Sequence, residues 1–402
     1  MRETRESHAT PPWDGGTPAS WIELSRGAAC RNVALFRRLA DRAGARLGVV
    51  VKANAYGHGL YEMLALIHEQ VDVLHVVTPA DALALRAWEA AQQRPRRDVL
   101  VIGAVSPADV VALARERVAV VLYDGGWPDW ADALRVAGVG PAQVHIHIDS
   151  GLGREGLRPE QVADVLAGVR DVADAVEVCA CLTHFANTED VTEQAYARSQ
   201  LAHFNTGVEA VAHVTGRRDL ARHAAASAAV LNLPEARLDV LRVGIGLYGL
   251  WPSPETRLSA RLLHDPPPEL APVLSWRCVS QLTKVLPAGA FVGYGCTWRC
   301  RRSTRIAVLP VGYFDGYPRL ASGRAHVLVQ GQRCAVLGRV MMNHLVIDIT
   351  DLPTPERQVI ATLVGRDGDE CVSLDDLAGW SQTIGYEAST RVGGHLLRRI
   401  VP

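Results

Sequence analysis

Between residues 45 and 250 the chain alternates short β-branched runs with amphipathic stretches, and the run recurs eight times. The runs are 47–53, 73–78, 98–105, 118–124, 144–150, 178–185, 221–227 and 238–246. Most are nearly continuous in Val, Ile and Leu, the pattern of strands covered on both faces, which a parallel sheet requires. The stretches 79–93 (PADALALRAWEAAQQ) and 106–117 (SPADVVALARER) predict helices, each with proline near the first turn, where its missing N–H does no harm. Eight βα units in about 200 residues fit a closed (β/α)8, TIM-like barrel. An open, doubly wound sheet is the alternative.

A chain of 402 residues predicts two domains. After Gly249 the texture changes. Residues 251–270 are proline-rich and read as a linker, and 271–402 carry strand-like pieces without long helices, including a hairpin around Gly331. The expected division is a leader over 1–19, a barrel over 20–250 and a predominantly β domain over 271–402. Residues 20–27 could add a strand to that β domain. The leader is charged and then Pro/Gly-rich, with no apolar core of a signal peptide. A net charge of −1 leaves no electrostatic footprint for nucleic acid or an anionic membrane. No apolar run approaches the ~20 residues of a bilayer span. The eight cysteines are scattered without a CxxC pair, the pattern of free thiols in a reducing cytoplasm rather than a zinc site.

The chemistry begins at Lys52. Lys and Arg together number 42, yet the only lysines are Lys52 and Lys284. A lysine, unlike an arginine, can lose its proton when desolvated and act as a nucleophile or base. In a barrel the C-terminal strand ends face the active site. There stand Lys52, Asp149, Arg154, His184, Ser227 and Arg242, with RVGIGLYG behind the last strand. Taken singly, each has a plainer reading: a solvent-facing rim lysine, a core histidine bonded to a carbonyl, an arginine paired beneath the barrel, glycines packed tightly.

The stretch VVKANAYGHG (50–59) resembles the pyridoxal-phosphate lysine motif of the alanine racemase family, fold-type III enzymes. The resemblance continues in order through HIDSGLGREGL (147–157), LTHFANTED (182–190), HAAASAAV (223–230) and LRVGIGLYG (241–249). It runs on through FVGYGCTW (291–298), PVGYFDGYPR (310–319), GRVMMNHLVIDIT (338–350) and TIGYE (383–387). It implies pyridoxal 5'-phosphate bound covalently through Lys52, its phosphate gripped by Tyr56, Ser227, the N–H groups of Gly244 and Ile245, and Tyr386. Arg242 would face the ring nitrogen, with His184 beside it. Lys52 and Tyr294 would be the two bases on opposite faces of Cα. Arg154 and Met342 would receive the substrate carboxylate, and Tyr313 and Ile384 would line the entrance. The resemblance also implies a homodimer, each β domain lending Tyr294 to the other subunit, and no metal.

Four positions depart from the family pattern. His147 stands where many members have a carbamylated lysine bonded to the arginine at 154, and Ala226 where an Asn is common. Met342-Asn343-His344 replaces Met-Asp-Gln, and CTW follows Tyr294. Both bases and the cofactor cradle are intact, so the expected reaction is amino-acid racemisation, of alanine or a related small amino acid. A different amino acid in a specialised pathway, or a decarboxylase or aldolase of the same fold type, stays open. A non-catalytic cofactor carrier is disfavoured by the full β domain.

Overall fold

The computed structural model describes residues 19–189, 191–353 and 358–402, so the expected leader lies almost wholly outside them. The chain forms two compact units, Arg26–Ala271 and a second one that joins the start of the chain, up to Ser25, to Pro272–Pro402. β1 (Ser20–Ser25) belongs to the second. The first unit is the barrel: β2 (Arg46–Val50), β3 (Val73–Val76), β4 (Asp98–Val101), β5 (Ala119–Leu122), β6 (Ala142–His147), β7 (Val176–Leu182), β8 (Ala221–His223) and β9 (Val240–Val243). Every neighbouring pair from β2 to β8 is parallel, and β9 pairs in parallel with β2. Between β8 and β9 the ring is stitched by Asp239 N–H to the Arg222 carbonyl (2.9 Å) and Arg242 N–H to the Ala225 carbonyl (3.0 Å). The barrel is therefore nearly closed, and the seam between β8 and β9 carries Arg242.

Local chemistry explains the helices between the strands. Thr78 and Ser106 accept from the N–H groups of Asp81 and Asp109, with Pro79 and Pro107 in the first turn of helices Pro79–Ala91 and Pro107–Arg115. The expected linker is not bare. Ser253 Oγ accepts from Thr256 N–H at 2.9 Å and starts a helix, Pro254–Leu263, that packs within the barrel unit. A Ser-Pro start signal was hidden there among the prolines. The strands also end earlier than the apolar runs do, because the residues after them turn into the site.

The interior of the barrel has two characters. On one side Leu100, Ala119, Val121 and Leu182 pack together with Ile102 and Tyr123. On the other, His145 of β6 reaches past β7 to His223 of β8, and the ring of His75 lies 6.2 Å from that of His223. Gly48 makes room for His75, since a Cβ there would stand 2.5 Å from its Cε1 and 2.4 Å from the Leu241 carbonyl oxygen.

In the second unit, β1 runs antiparallel to Leu274–Val279 and parallel to Leu397–Val401. The sheet continues from Leu274–Val279 through Ile360–Asp367, His326–Val329, Gln332–Leu337, Leu345–Asp348 and Thr304–Leu309 to Leu282–Leu286. His326–Val329 and Gln332–Leu337 form the hairpin around Gly331, whose φ of 73° suits glycine. Val292, Cys300, Ile306, Leu337 and Val346 pack together as one buried cluster of this unit. Among the described residues no helix is long and apolar enough to cross a membrane.

Candidate active site

Lys52 follows β2 by two residues and opens an unusual turn. Ala53, Asn54, Ala55 and Tyr56 have φ of 52°, 53°, 51° and 52°, four successive non-glycine residues in the left-handed region. Such a conformation costs roughly 1–2 kcal/mol per residue. It is held by Gly57 N–H to the Ala53 carbonyl (3.0 Å), Gly59 N–H to the Asn54 carbonyl (2.9 Å) and Leu60 N–H to Asn54 Oδ1 (2.9 Å). The turn brings Lys52 and Tyr56 to the same place, with the amine 6.0 Å from the phenol ring centroid. Burial, and then the charge of Arg154, hold the Lys52 amine below its ordinary range. Burial pushes the Tyr56 phenol up. Backbone strain at this point is a mark of a functional site.

Arg242 is buried at the barrel seam. Its Nη1 donates to the His223 carbonyl (2.5 Å) and faces His223 Nδ1 (3.3 Å); its Nη2 donates to the carbonyls of Thr183 (2.5 Å) and Ala224 (3.1 Å). Four of the five guanidinium N–H bonds are thus taken up by the barrel, and Nε–H takes none of these partners. Burial lowers this guanidinium to about 10. The imidazole within hydrogen-bond distance of it is His223, which the sequence did not single out, and the expected neighbour His184 feels its charge. His184 follows β7 one residue beyond Thr183 and is half-buried, and desolvation and the Arg242 charge lower it to about 3.

Ser227 Oγ accepts from the N–H groups of Gly244 (3.0 Å) and Gly246 (3.2 Å). Gly244, whose N–H is expected with that of Ile245 to grip the cofactor phosphate, caps the short turn Ile245–Tyr248 that follows. A Cβ on Gly244 would lie 2.5 Å from Tyr56 Oη, and one on Gly246 would lie 2.7 Å from Phe36. The missing side chains let Tyr56 and Phe36 close in on this stretch of backbone. Tyr248 backs Tyr56, ring centroids 4.9 Å apart, with its hydroxyl on the Val50 carbonyl at 2.9 Å.

Arg154 sits in the loop after β6, which Asp149 organises by accepting from the N–H groups of Gly151, Leu152 and Gly153 at 3.0, 3.0 and 3.1 Å. Its guanidinium pairs with Glu155. His147 lies beneath, 5.2 Å from the Tyr123 ring, with a buried Nδ1 that has no hydrogen-bond partner among the described residues. In the second unit, Tyr294 lies in a turn flanked by Gly293 and Gly295 (φ 71° and 75°) and is 71% exposed. Tyr313 and Met342 are neighbours there, through Tyr313 N–H to the Met341 carbonyl and Phe314 N–H to the Met342 carbonyl, both 3.0 Å. Ile384 is exposed and caps the helix Gly385–Thr390 that carries Tyr386. Among the described residues no group of His, Cys, Asp and Glu is placed to hold a metal.

The interior histidines make the barrel acid-sensitive. Burial, with Arg242 next, lowers His75 to about 3, His145 and His147 to about 4, and His223 well below its usual value. Folded protein then binds fewer protons than unfolded chain below about pH 6.5. The stability of the neutral state is full above that pH and is lost as pH falls toward 4. Urea midpoints should fall steadily from pH 7 to pH 4.5, with an uptake of roughly two or more protons on unfolding. A flat profile would contradict the placement of these rings.

Comparison with known proteins is consistent along the whole chain. Residues 24–252 match the family model described as alanine racemase, N-terminal domain, and residues 273–400 match alanine racemase, C-terminal domain. An alanine racemase of Leptospira interrogans is 34% identical over 391 residues, 96% of each chain. That of Symbiobacterium thermophilum is 38% identical over 381 residues, 93% of this chain and 94% of the other. Among solved structures, the alanine racemase of D-cycloserine-producing Streptomyces lavendulae superposes with a TM-score of 0.86 at 30% identity, covering 96% of this chain and 98% of the other. The Bacillus anthracis alanine racemase, solved with bound L-Ala-P, gives 0.85 at 30% identity and 96% coverage of each.

Proposed function

Because the chain belongs to the alanine racemase family, we propose that it interconverts L- and D-alanine with pyridoxal 5'-phosphate, in a homodimer whose subunits share their sites. The observation that carries this reading is the barrel mouth itself: a lysine amine held below its normal range lies 6.0 Å from the ring of Tyr56, whose hydroxyl stands against Gly244, the N–H donor to Ser227. That donor set fits the cofactor. Lys52 would hold its aldehyde, and Tyr56, Ser227, Gly244, Ile245 and Tyr386 its phosphate, with backbone N–H groups suited to an anion. Arg242 would offer Nε–H to the ring nitrogen. When bound, pyridoxal phosphate supplies an electron-accepting ring that acidifies the Cα–H of the attached amino acid.

The protein's own part is to place protons. Lys52 takes or returns the Cα proton on one face and Tyr294 does so on the other, since a single base would mostly return its own proton with retention. Arg242 does not yield its proton. It therefore leaves the ring a weaker electron sink, which favours return of the proton to Cα over side reactions. Arg154 receives the substrate carboxylate with the Met342 N–H, and Tyr313 and Ile384 narrow the approach.

Incubation with L-alanine in heavy water tests the reaction. D-alanine carrying Cα deuterium should accumulate, read by chiral chromatography and mass spectrometry, with neither CO2 nor aldehyde released. Release of either would favour a decarboxylase or aldolase. The shared site is tested by mixing: unfolded and co-refolded Lys52→Ala and Tyr294→Phe chains should regain up to about a quarter of wild-type activity, half the dimers being mixed with one complete site each. No recovery would leave each site within one chain.

A further inference from the structure

The polar side of the barrel interior is ordered as a line. Arg242 Nη1 lies 3.3 Å from His223 Nδ1, and His223 Nε2 lies 3.0 Å from His145 Nδ1. The three residues come from β9, β8 and β6, so the line crosses the interior. His145 at its far end is half-buried and feels Asp98 and Arg46, which begin β4 and β2 and pair with each other at 2.5 Å. Strand starts form the barrel end opposite the reacting centre.

The direction of this line follows from the donor inventory. A guanidinium only donates, so His223 Nδ1 must present its lone pair to Arg242. His223 then carries its single proton on Nε2 and donates it to His145 Nδ1, and His145 in turn carries its proton on Nε2. The opposite tautomer of His223 would set N–H against N–H at Arg242 and push the guanidinium from its place. The third imidazole has the other arrangement. His75 Nδ1 lies 3.2 Å from the Val49 carbonyl, so it is the donor, and its buried Nε2 has no hydrogen-bond partner among the described residues.

We propose that His145 is a positioning residue for the racemisation, acting through His223: by accepting from His223 Nε2–H it fixes that tautomer and thereby the guanidinium of Arg242. The proposal rests on the reading of Arg242 as the residue that faces the cofactor ring. It assigns a task to a residue on the far side of the barrel, where it touches neither substrate nor cofactor.

The test uses the full-length chain with 15N-labelled histidine, observed by long-range 1H–15N correlation before and after addition of pyridoxal phosphate. Wild-type protein should show protonated Nε2 at His223 and His145 and protonated Nδ1 at His75, which serves as an internal reference. His145→Leu removes the acceptor. It should shift His223 toward the Nδ1–H tautomer, lower kcat about tenfold and change KM for alanine by less than about twofold. His145→Asn offers an oxygen near the place of Nδ1 and should restore both the tautomer and kcat. A wild-type His223 protonated on Nδ1, or a His223 tautomer unmoved by His145→Leu, would overturn the proposal. If the tautomer shifts but kcat stays at the wild-type value, what fails is the place given to Arg242 at the reacting centre, and the positioning role falls with it.

Discussion

Lys52→Arg should abolish turnover while leaving the fold intact. The amine is held below its ordinary range by burial and by Arg154, so its neutral, proton-accepting form is easier to reach than that of a lysine in water. A guanidinium at the same position stays charged and cannot form the covalent link to an aldehyde. Loss of the general base alone is worth about 10²–10⁴ in rate, and loss of the covalent anchor adds to it. The visible absorbance of lysine-bound cofactor should vanish from the variant after gel filtration, and borohydride followed by peptide mapping should find no adduct at position 52. Racemisation at more than a few per cent of wild type would refute the role of this residue, since no other lysine lies in the barrel unit.

The second large effect is expected at Tyr294. Its ring is 71% exposed within its unit, so Tyr294→Phe removes a hydroxyl without opening a cavity, and the urea midpoint should not move. Racemisation should fall by about 10²–10³ in both directions, with cofactor absorbance retained. The diagnostic result is asymmetry. In heavy water one enantiomer of alanine should still exchange its Cα–H through Lys52 without inverting, while exchange from the other is lost. Equal residual exchange from both enantiomers would remove Tyr294 from the chemistry.

Much of this was legible along the chain because barrels repeat. Each apolar run marked a strand, and the residue types at the strand ends, Lys52, Arg154, Ser227 and Arg242, announced the mouth. What could not be read was contact across the interior. His145 and His223 are 78 positions apart, and their meeting depends on how the closed sheet is staggered, which no local pattern records. One signal was available: in VHIHID the period of two puts His145 and His147 on the same face of β6, so an inward His147 implied an inward His145. The left-handed run after Lys52 was equally hidden, because Ala-Asn-Ala carries no glycine at the positions with positive φ. The helix Pro254–Leu263 was masked by prolines that read as linker.

The strand Ser20–Ser25 pairs with Leu274–Val279 and Leu397–Val401, although the whole barrel is encoded between them. On a ribosome that order sets a schedule. At ~5–20 residues per second the first strand waits on the order of twenty seconds to more than a minute for its last neighbour to be synthesised. During that interval Arg26–Ala271 can complete its own core, while an apolar edge with Trp21, Ile22 and Leu24 stays unpaired and open to foreign strands. Yield at high expression rates should therefore be governed by how this nascent segment is shielded, more than by the stability of the finished molecule.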